Sequence, residues 1–318
     1  MKKWLFIFCF FLSTIYVNAA EKPFPFRIDF VNSIGVGNAA FSELVYGDND
    51  HGGVELKSDL DWSQVCVLLQ TGIAVTLGKG FTCFVAVNFL PPNLPMSLID
   101  EDFKNGKMCS HSEHPAKTQF SGDGCIGLGW KFLAAYSEEK QAGFFVEPAV
   151  RFNYFTYNHF AYDGSGYKIN IFDEQYDRCI FTGTVIEYKL RLFSTQLLLN
   201  FYGEFNERIE LQAGCGIGVY SKALALDYHI LRQIKFYDQF NFYIFSMSFN
   251  FGQKFLITDH FGLFYNIDFL YSKSKRGKTT THRLDADIVE IYPTGSAGFR
   301  FSRFNFSLGV FARIARKQ

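Results

Sequence analysis

The stretch NFYIFSMSFNF, residues 241–251, places Tyr243, Phe245, Met247, Phe249 and Phe251 at odd positions and Ser246, Ser248 and Asn250 at even ones. A period of two is that of a β-strand, whose successive side chains point to opposite faces. The next stretch repeats it. Phe261, Leu263, Tyr265, Ile267, Phe269 and Tyr271 share one face, with Asn266, Asp268 and Ser272 on the other. Near the start, Phe24, Phe26, Ile28 and Phe30 alternate with Arg27 and Asp29. Each segment has one apolar and one polar side.

A soluble β-sandwich gives the same alternation, so composition has to decide. The 318 residues include 39 Phe and 17 Tyr but only 8 Pro. Residues 1–20, MKKWLFIFCFFLSTIYVNAA, have the layout of a secretory signal peptide: Lys2 and Lys3, an apolar stretch, then small residues at Ala19 and Ala20. An exported chain with long aromatic strands, and no later run of 18 apolar residues, fits an outer-membrane barrel with its polar face inward. Without Lys2 and Lys3, 29 basic residues stand against 31 acidic ones, so there is no basic excess for nucleic acid. Six cysteines (Cys66, Cys83, Cys109, Cys125, Cys179, Cys215) remain in the processed chain without a C-x-x-C pair, which argues against a zinc ribbon.

The connections alternate in length. Short ones fall near residues 78–80, 137–141, 203–206 and 258–260. Longer polar ones fall near 47–53, 99–117, 163–178, 227–235 and 273–287. The expectation is an all-β fold: a ten-stranded antiparallel transmembrane β-barrel over residues 21–318, its wall extending above the outer membrane. Two strands change phase. Phe299 and Phe301 fall on one face but Phe304, Phe306, Leu308 and Val310 on the other, and residues 211–219 are out of step with 221–229. A β-bulge in each is predicted, the second near Tyr220.

Asp227 and His229, two apart, share a face and continue the small set Ser221, Ala223 and Ala225, which should line the lumen at the upper rim. Four D-x-D triplets could oppose them: Asp48/Asp50, Asp59/Asp61, Asp100/Asp102 and Asp285/Asp287. Residue type alone does not choose among these. Cys109, His111, Glu113 and His114 have ligand chemistry but no zinc spacing, so no metal is expected. Gly214, Gly216 and Gly218 precede no helix and read as small residues in a crowded strand rather than a nucleotide loop.

The flanking residues do choose. "IDEDF" (99–103) followed by "SEHPAKTQF" (112–120), "SIGVGNAAFSELVYGDNDHGGVELKSDLDW" (33–62), "EYKLR" (187–191) and the D-x-H at 227–229 together resemble the omptins, outer-membrane endopeptidases built on a ten-stranded barrel. The resemblance implies that Asp100 and Asp102 form one catalytic couple and Asp227 and His229 the other, across the barrel mouth and facing the exterior. Such an arrangement suits metal-free peptide hydrolysis, in which an imidazole activates water and paired carboxyls hold it and stabilise the oxyanion.

The resemblance also implies that His114 supports the site, and that substrate pockets involve Glu43, position 225 and position 110. The last two are Ala225 and Ser110 instead of acids, which predicts a weakened or altered preference for basic residues. Extracellular peptides or proteins would be the substrate. Lipopolysaccharide or another outer-membrane lipid would be the partner, with Arg191 matching one of its contacts. No other cofactor is implied. The alternative is a catalytically silent barrel acting as adhesin or porin.

Overall fold

The computed structural model describes residues 26–48, 53–169, 176–241 and 244–316. The signal-peptide segment 1–20, and Phe24, Asp50, His51 and Tyr243, lie outside the described residues.

Among the described residues alternation builds fifteen strands, all paired antiparallel. They are β1 (Phe26–Asp48), β2 (Val54–Thr76), β3 (Phe81–Leu90), β4 (Pro95–Lys104), β5 (Lys107–Thr118), β6 (Ser121–Trp130), β7 (Phe132–Ser137) and β8 (Ala142–Ile169), followed by β9 (Tyr176–Phe205), β10 (Ile209–His229), β11 (Ile234–Asn241), β12 (Phe245–Leu256), β13 (Phe261–Arg283), β14 (Ile288–Ile291) and β15 (Ala297–Arg316). Several are halves of one long strand. β2 pairs with β3 in its lower half and β4 in its upper half, so 81–104 is a single stave interrupted near Pro91. β5, β6 and β7 pair with successive parts of β8, β11 and β12 with successive parts of β10 and β13, and β14 and β15 with successive parts of β13. Ten staves result, and pairing of β1 with β15 closes the ring. A closed ring leaves no exposed sheet edge along the wall.

Much of what looks like loop in the sequence is strand. Residues 99–117 form the top of the β4–β5 hairpin, joined at Asn105 and Gly106, whose φ values are 51° and 72°. Two left-handed residues in a row make the tight turn that matches strand twist. β13 likewise runs on to Arg283 and β10 to His229.

The bulge near Tyr220 is present as a register shift between Gly218 and Tyr220 against β9. The bulge predicted in the last strand is not. β15 pairs with β1 in unbroken register from Val45↔Ala297 to Phe26↔Arg316. Odd positions point inward throughout: Phe299, Phe301, Arg303, Asn305, Ser307 and Phe311 are buried, while Phe304, Leu308 and Val310 are exposed. The environment inverts along the strand, not its phase.

That inversion divides the whole barrel. In the lower part the outer face carries Ile34, Val36, Ile73, Val87, Ile126, Ile217, Phe249, Phe251, Leu263 and Leu308, all solvent-exposed. Such an apolar belt is the surface a bilayer would cover. Inside it the lumen is polar. Arg313 Nε donates to Asp29 at 2.8 Å, Lys254 Nζ to Asp29 at 3.0 Å, and Arg151 Nη2 to Ser248 at 2.9 Å. A cavity of about 270 Å³ remains there. Gly214 and Gly216 belong to this crowded wall: a Cβ on Gly214 would stand 2.3 Å from Asn200 Oδ1.

Above the belt the interior is apolar. Phe41, Trp62, Tyr157, Tyr188, Phe240, Phe299 and Phe301 are buried in one cluster. Phe41 lies 5.0 Å from Phe301 and 4.9 Å from Tyr157 between ring centroids, and His159 packs on Phe41 at 5.1 Å. At the boundary Arg303 reaches Asp123 and donates to Tyr157 Oη at 3.0 Å.

Candidate functional site

The mouth of the barrel rests on that aromatic layer. Asp227 and His229 end β10 on its inward face, and His229 Nε2 lies 2.6 Å from Asp227 Oδ2. The ring is held edge-on by Phe236 of β11, at 5.4 Å between centroids. Asp100 and Asp102 occupy the inward face of β4, opposite Ser112 and Ser110 of β5. Around the ring, β5, β8 and β9 separate β4 from β10. Even so, Asp100 and His229 line the same cavity of about 150 Å³, with Ser110, Ser112, His114, Phe181 and Arg232. Barrel closure brings them together.

The electrostatics are those of a nearly dry, acid-rich pocket. Burial opposes charge on the His229 imidazole, but the Asp227 charge and hydrogen bond, with Asp100 beyond, raise it above its ordinary value. Burial pushes the Asp100 carboxyl up to about 6; His229 pulls it down and Asp102 pushes it up again. Arg232 Nη2 stands 3.7 Å from Asp102 Oδ2 at the rim.

His114 is buried at the cavity wall, its Nε2 2.9 Å from Ser112 Oγ and its Nδ1 against the carbonyl of Asp163. Burial lowers its pKa. A bulge in β8 aims that carbonyl. Asp163 has φ 51° and Gly164 φ 121°, and a Cβ on Gly164 would meet His114 Nδ1 at 2.4 Å. Only glycine fits so close an approach with that backbone. The Asp-Gly pair lies in a segment that reads as loop in the sequence.

The other site residues divide. Ser110 lines the cavity. Ala225 lies about 7 Å below Asp227 on the same face of β10. Glu43, on β1, is 1% exposed and hydrogen-bonds to Asp238 of β11. Burial, then the charges of Asp227 and Asp238, drive Glu43 well above the carboxylate range. Burial pushes Asp238 up to about 7, against hydrogen bonds from Thr279 and Glu43. Thr279 Oγ1 donates to Asp238 Oδ1 at 2.8 Å.

Asp238 is the residue that motif reasoning misses. Its one sequence signal is phase: in "IKFYDQF" (234–240) it falls on the same face as Phe236 and Phe240. Arg191 faces outward from β9 and is exposed. His111 lies between Glu101 and Glu113, at 3.1 and 3.2 Å. All six cysteines are free.

A closed antiparallel barrel with an apolar belt and a polar lumen is the architecture of bacterial outer-membrane barrels. Among solved structures, the chain superposes on the outer membrane protease OmpT from Escherichia coli with a TM-score of 0.80 at 15% identity, over 93% of this chain and 99% of that one. OprG from Pseudomonas aeruginosa (TM-score 0.34, 7% identity, 91% of this chain and 96% of that one) and the toluene transporter TodX from Pseudomonas putida (0.31, 10%, 94% and 93%) are much more distant. No protein-family model matches the chain, and no curated protein is significantly similar in sequence.

Proposed function

We propose that this chain is an outer-membrane endopeptidase. It hydrolyses extracellular peptides with a water held between the Asp227–His229 dyad and the Asp100–Asp102 couple. The observation that carries this reading is the shared cavity: an imidazole held by a buried carboxylate faces, across the lumen, a carboxyl shifted toward neutrality. Similarity of the whole fold to an outer membrane protease supports it.

The chemistry follows from the geometry. With Nε2–H donating to Asp227, the free lone pair of His229 is on Nδ1. Nδ1 takes a proton from water as the oxygen attacks the peptide carbonyl carbon. Protonated Asp100 donates to the developing oxyanion, and the Asp227 carboxylate stabilises the imidazolium. When the C–N bond breaks, the imidazolium returns its proton to the leaving amine. Ser112 and the Asp163 carbonyl fix His114 beside the cavity, so His114 acts in positioning.

The belt supports insertion in the outer membrane with the cavity outside. Arg191, exposed above the belt beside Lys189 and Lys222, supports contact with an anionic lipid such as lipopolysaccharide. The aromatic cluster filling the upper interior weighs against the porin alternative.

The test is to fold the mature chain in detergent with outer-membrane lipid and expose it to a mixed peptide library beside His229→Ala. Cleavage by the wild type alone supports the dyad. No cleavage by either folded protein leaves the adhesin alternative standing.

A further inference from the structure

Register sets two inward rows across β4, β5, β8 and β9 at the mouth. The lower is Asp100, Ser112, Gly166 and Cys179, the upper Asp102, Ser110, Lys168 and Asp177. Neighbours in a row share a face and stand about 5 Å apart at Cβ. Beyond Asp100 the lower row carries only small side chains, and Gly166 carries none. These leave the opening of about 150 Å³ that Asp100, Ser112 and Cys179 line.

Two cations border that opening, Lys168 from β8 and Arg232 from the turn between β10 and β11. The bulge in β8 decides the first. Below it the inward residues are Tyr157, His159 and Ala161; above it the phase has shifted, and Gly166 and Lys168 face inward. Among the described residues Asp100 is the one carboxyl that lines the cavity, against these two cations. Neither is neutralised at close range. Lys168 forms no ion pair among the described residues, with Asp177 beside it in the row, and the Arg232 side chain, 52% exposed, reaches only Asp102, at 3.7 Å. Position 110, where the family resemblance implies an acid, is Ser110, and its direct cross-strand partner is Lys168. The charge of this wall is therefore opposite in sign to the implied one.

We propose that this cavity takes an acidic side chain, Glu or Asp, of a residue flanking the cut bond, with Lys168 and Arg232 as the specificity-determining residues. The proposal rests on the protease reading above and names the class of its substrate. Asp100 and His229 line the same space, so a side chain that fills it belongs to a residue directly beside the attacked carbonyl. Its carboxylate meets the Lys168 ammonium as a point charge and the Arg232 guanidinium through the planar fork that suits a carboxylate. Ser110 leaves the approach uncharged, where an acid would repel it.

Two measurements on the full mature chain, folded in detergent with lipid, test it. Matched peptides, amidated at the C-terminus so that no terminal carboxylate competes, carry Glu, Gln or Lys at each of the two positions flanking the cut bond. Values of kcat/KM are compared for wild type, Lys168→Gln with Arg232→Gln, and Lys168→Glu with Arg232→Glu. The Glu-to-Gln ratio within one protein cancels any influence of Arg232 on Asp100 and His229. In wild type it should reach at least about tenfold at one flanking position, fall toward one in the Gln variant, and weaken with added salt. The charge-reversed variant should prefer Lys, which a merely structural role would not produce.

Binding of the same Glu and Gln peptides to catalytically silenced His229→Ala protein reads the cavity without chemistry. Glu-selective binding that requires Lys168 and Arg232 upholds the proposal even if no peptide is cut, in which case the protease reading alone fails. A Glu-to-Gln ratio near one in wild type, a ratio unchanged in the Gln variant, or equal binding of the two peptides overturns it.

Discussion

The lower and upper halves of the barrel are built on the same staves yet obey opposite rules. Below, the inward row of β15 is Arg303, Asn305 and Ser307 and the outward row Phe304, Phe306 and Leu308. Above, the inward row is Phe299 and Phe301 and the outward row includes Arg300 and Ser302. β9 does the same, with Ser194, Gln196 and Asn200 inside below and Tyr188, Leu190 and Leu192 inside above. The cause is the medium outside. Hydrocarbon covers apolar side chains and leaves the polar ones to the lumen, whereas water forces the apolar ones inward. The site stands where the dry upper core meets the open mouth, and burial there shifts the pKa values of Asp100 and His229.

The largest expected effect separates chemistry from scaffold. His229→Ala should lower kcat/KM on a cleaved peptide by roughly 10²–10⁴-fold with the barrel still folded. Retained activity in folded protein would remove the imidazole from the mechanism.

Next come two paired substitutions that set the halves against each other. Phe301→Ala, inside the upper core, should cost about 3–5 kcal/mol. The same change at outward Phe304 should cost less, because lipid fills the gap. Leu308→Arg on the belt should cost about 2–4 kcal/mol in folding into lipid vesicles, and Val289→Arg on the exposed β14 close to nothing. Equal costs at Leu308 and Val289 would break the assignment of the belt.

Smaller effects lie in the pH dependence. Cleavage needs Asp100 protonated and His229 neutral, so kcat/KM should follow a bell that rises as His229 loses its proton and falls as Asp100 ionises, with one apparent pKa near 6. Asp100→Asn should abolish the alkaline fall and leave the rise set by His229. For stability the sign is set by Asp238, whose folded pKa of about 7 exceeds its ordinary value. Its contribution is fully present below the unfolded pKa and is lost as pH rises toward 7, by about 4 kcal/mol at most. Chemical unfolding at pH 5 and pH 8 should show the loss in wild type and much less of it in Asp238→Asn.

Strand identity, the ten staves and the pairing of Asp227 with His229 were legible in the sequence. Strand identity and the shared face of Asp227 and His229 depend on a period of two, and the number of staves on the alternating lengths of the connections, both of which are local. The bulge near Tyr220 was legible for the same reason, since a bulge shifts phase and phase is counted along the chain. The change at residues 301–304 looked identical by counting, but it is an exchange of environments with no shift of phase, and only the register with β1 separates the two.

The carbonyl of Asp163 at His114 and the placing of Asp238 opposite Ala225 were decided by tertiary structure alone, and the meeting of Asp100 with His229 across three intervening strands was expected only through the family resemblance, not from any pattern in the residues themselves. Alternation tells each strand which face is inward. Ring closure and register decide which inward residues meet, because those contacts join positions far apart in sequence and no local pattern encodes them.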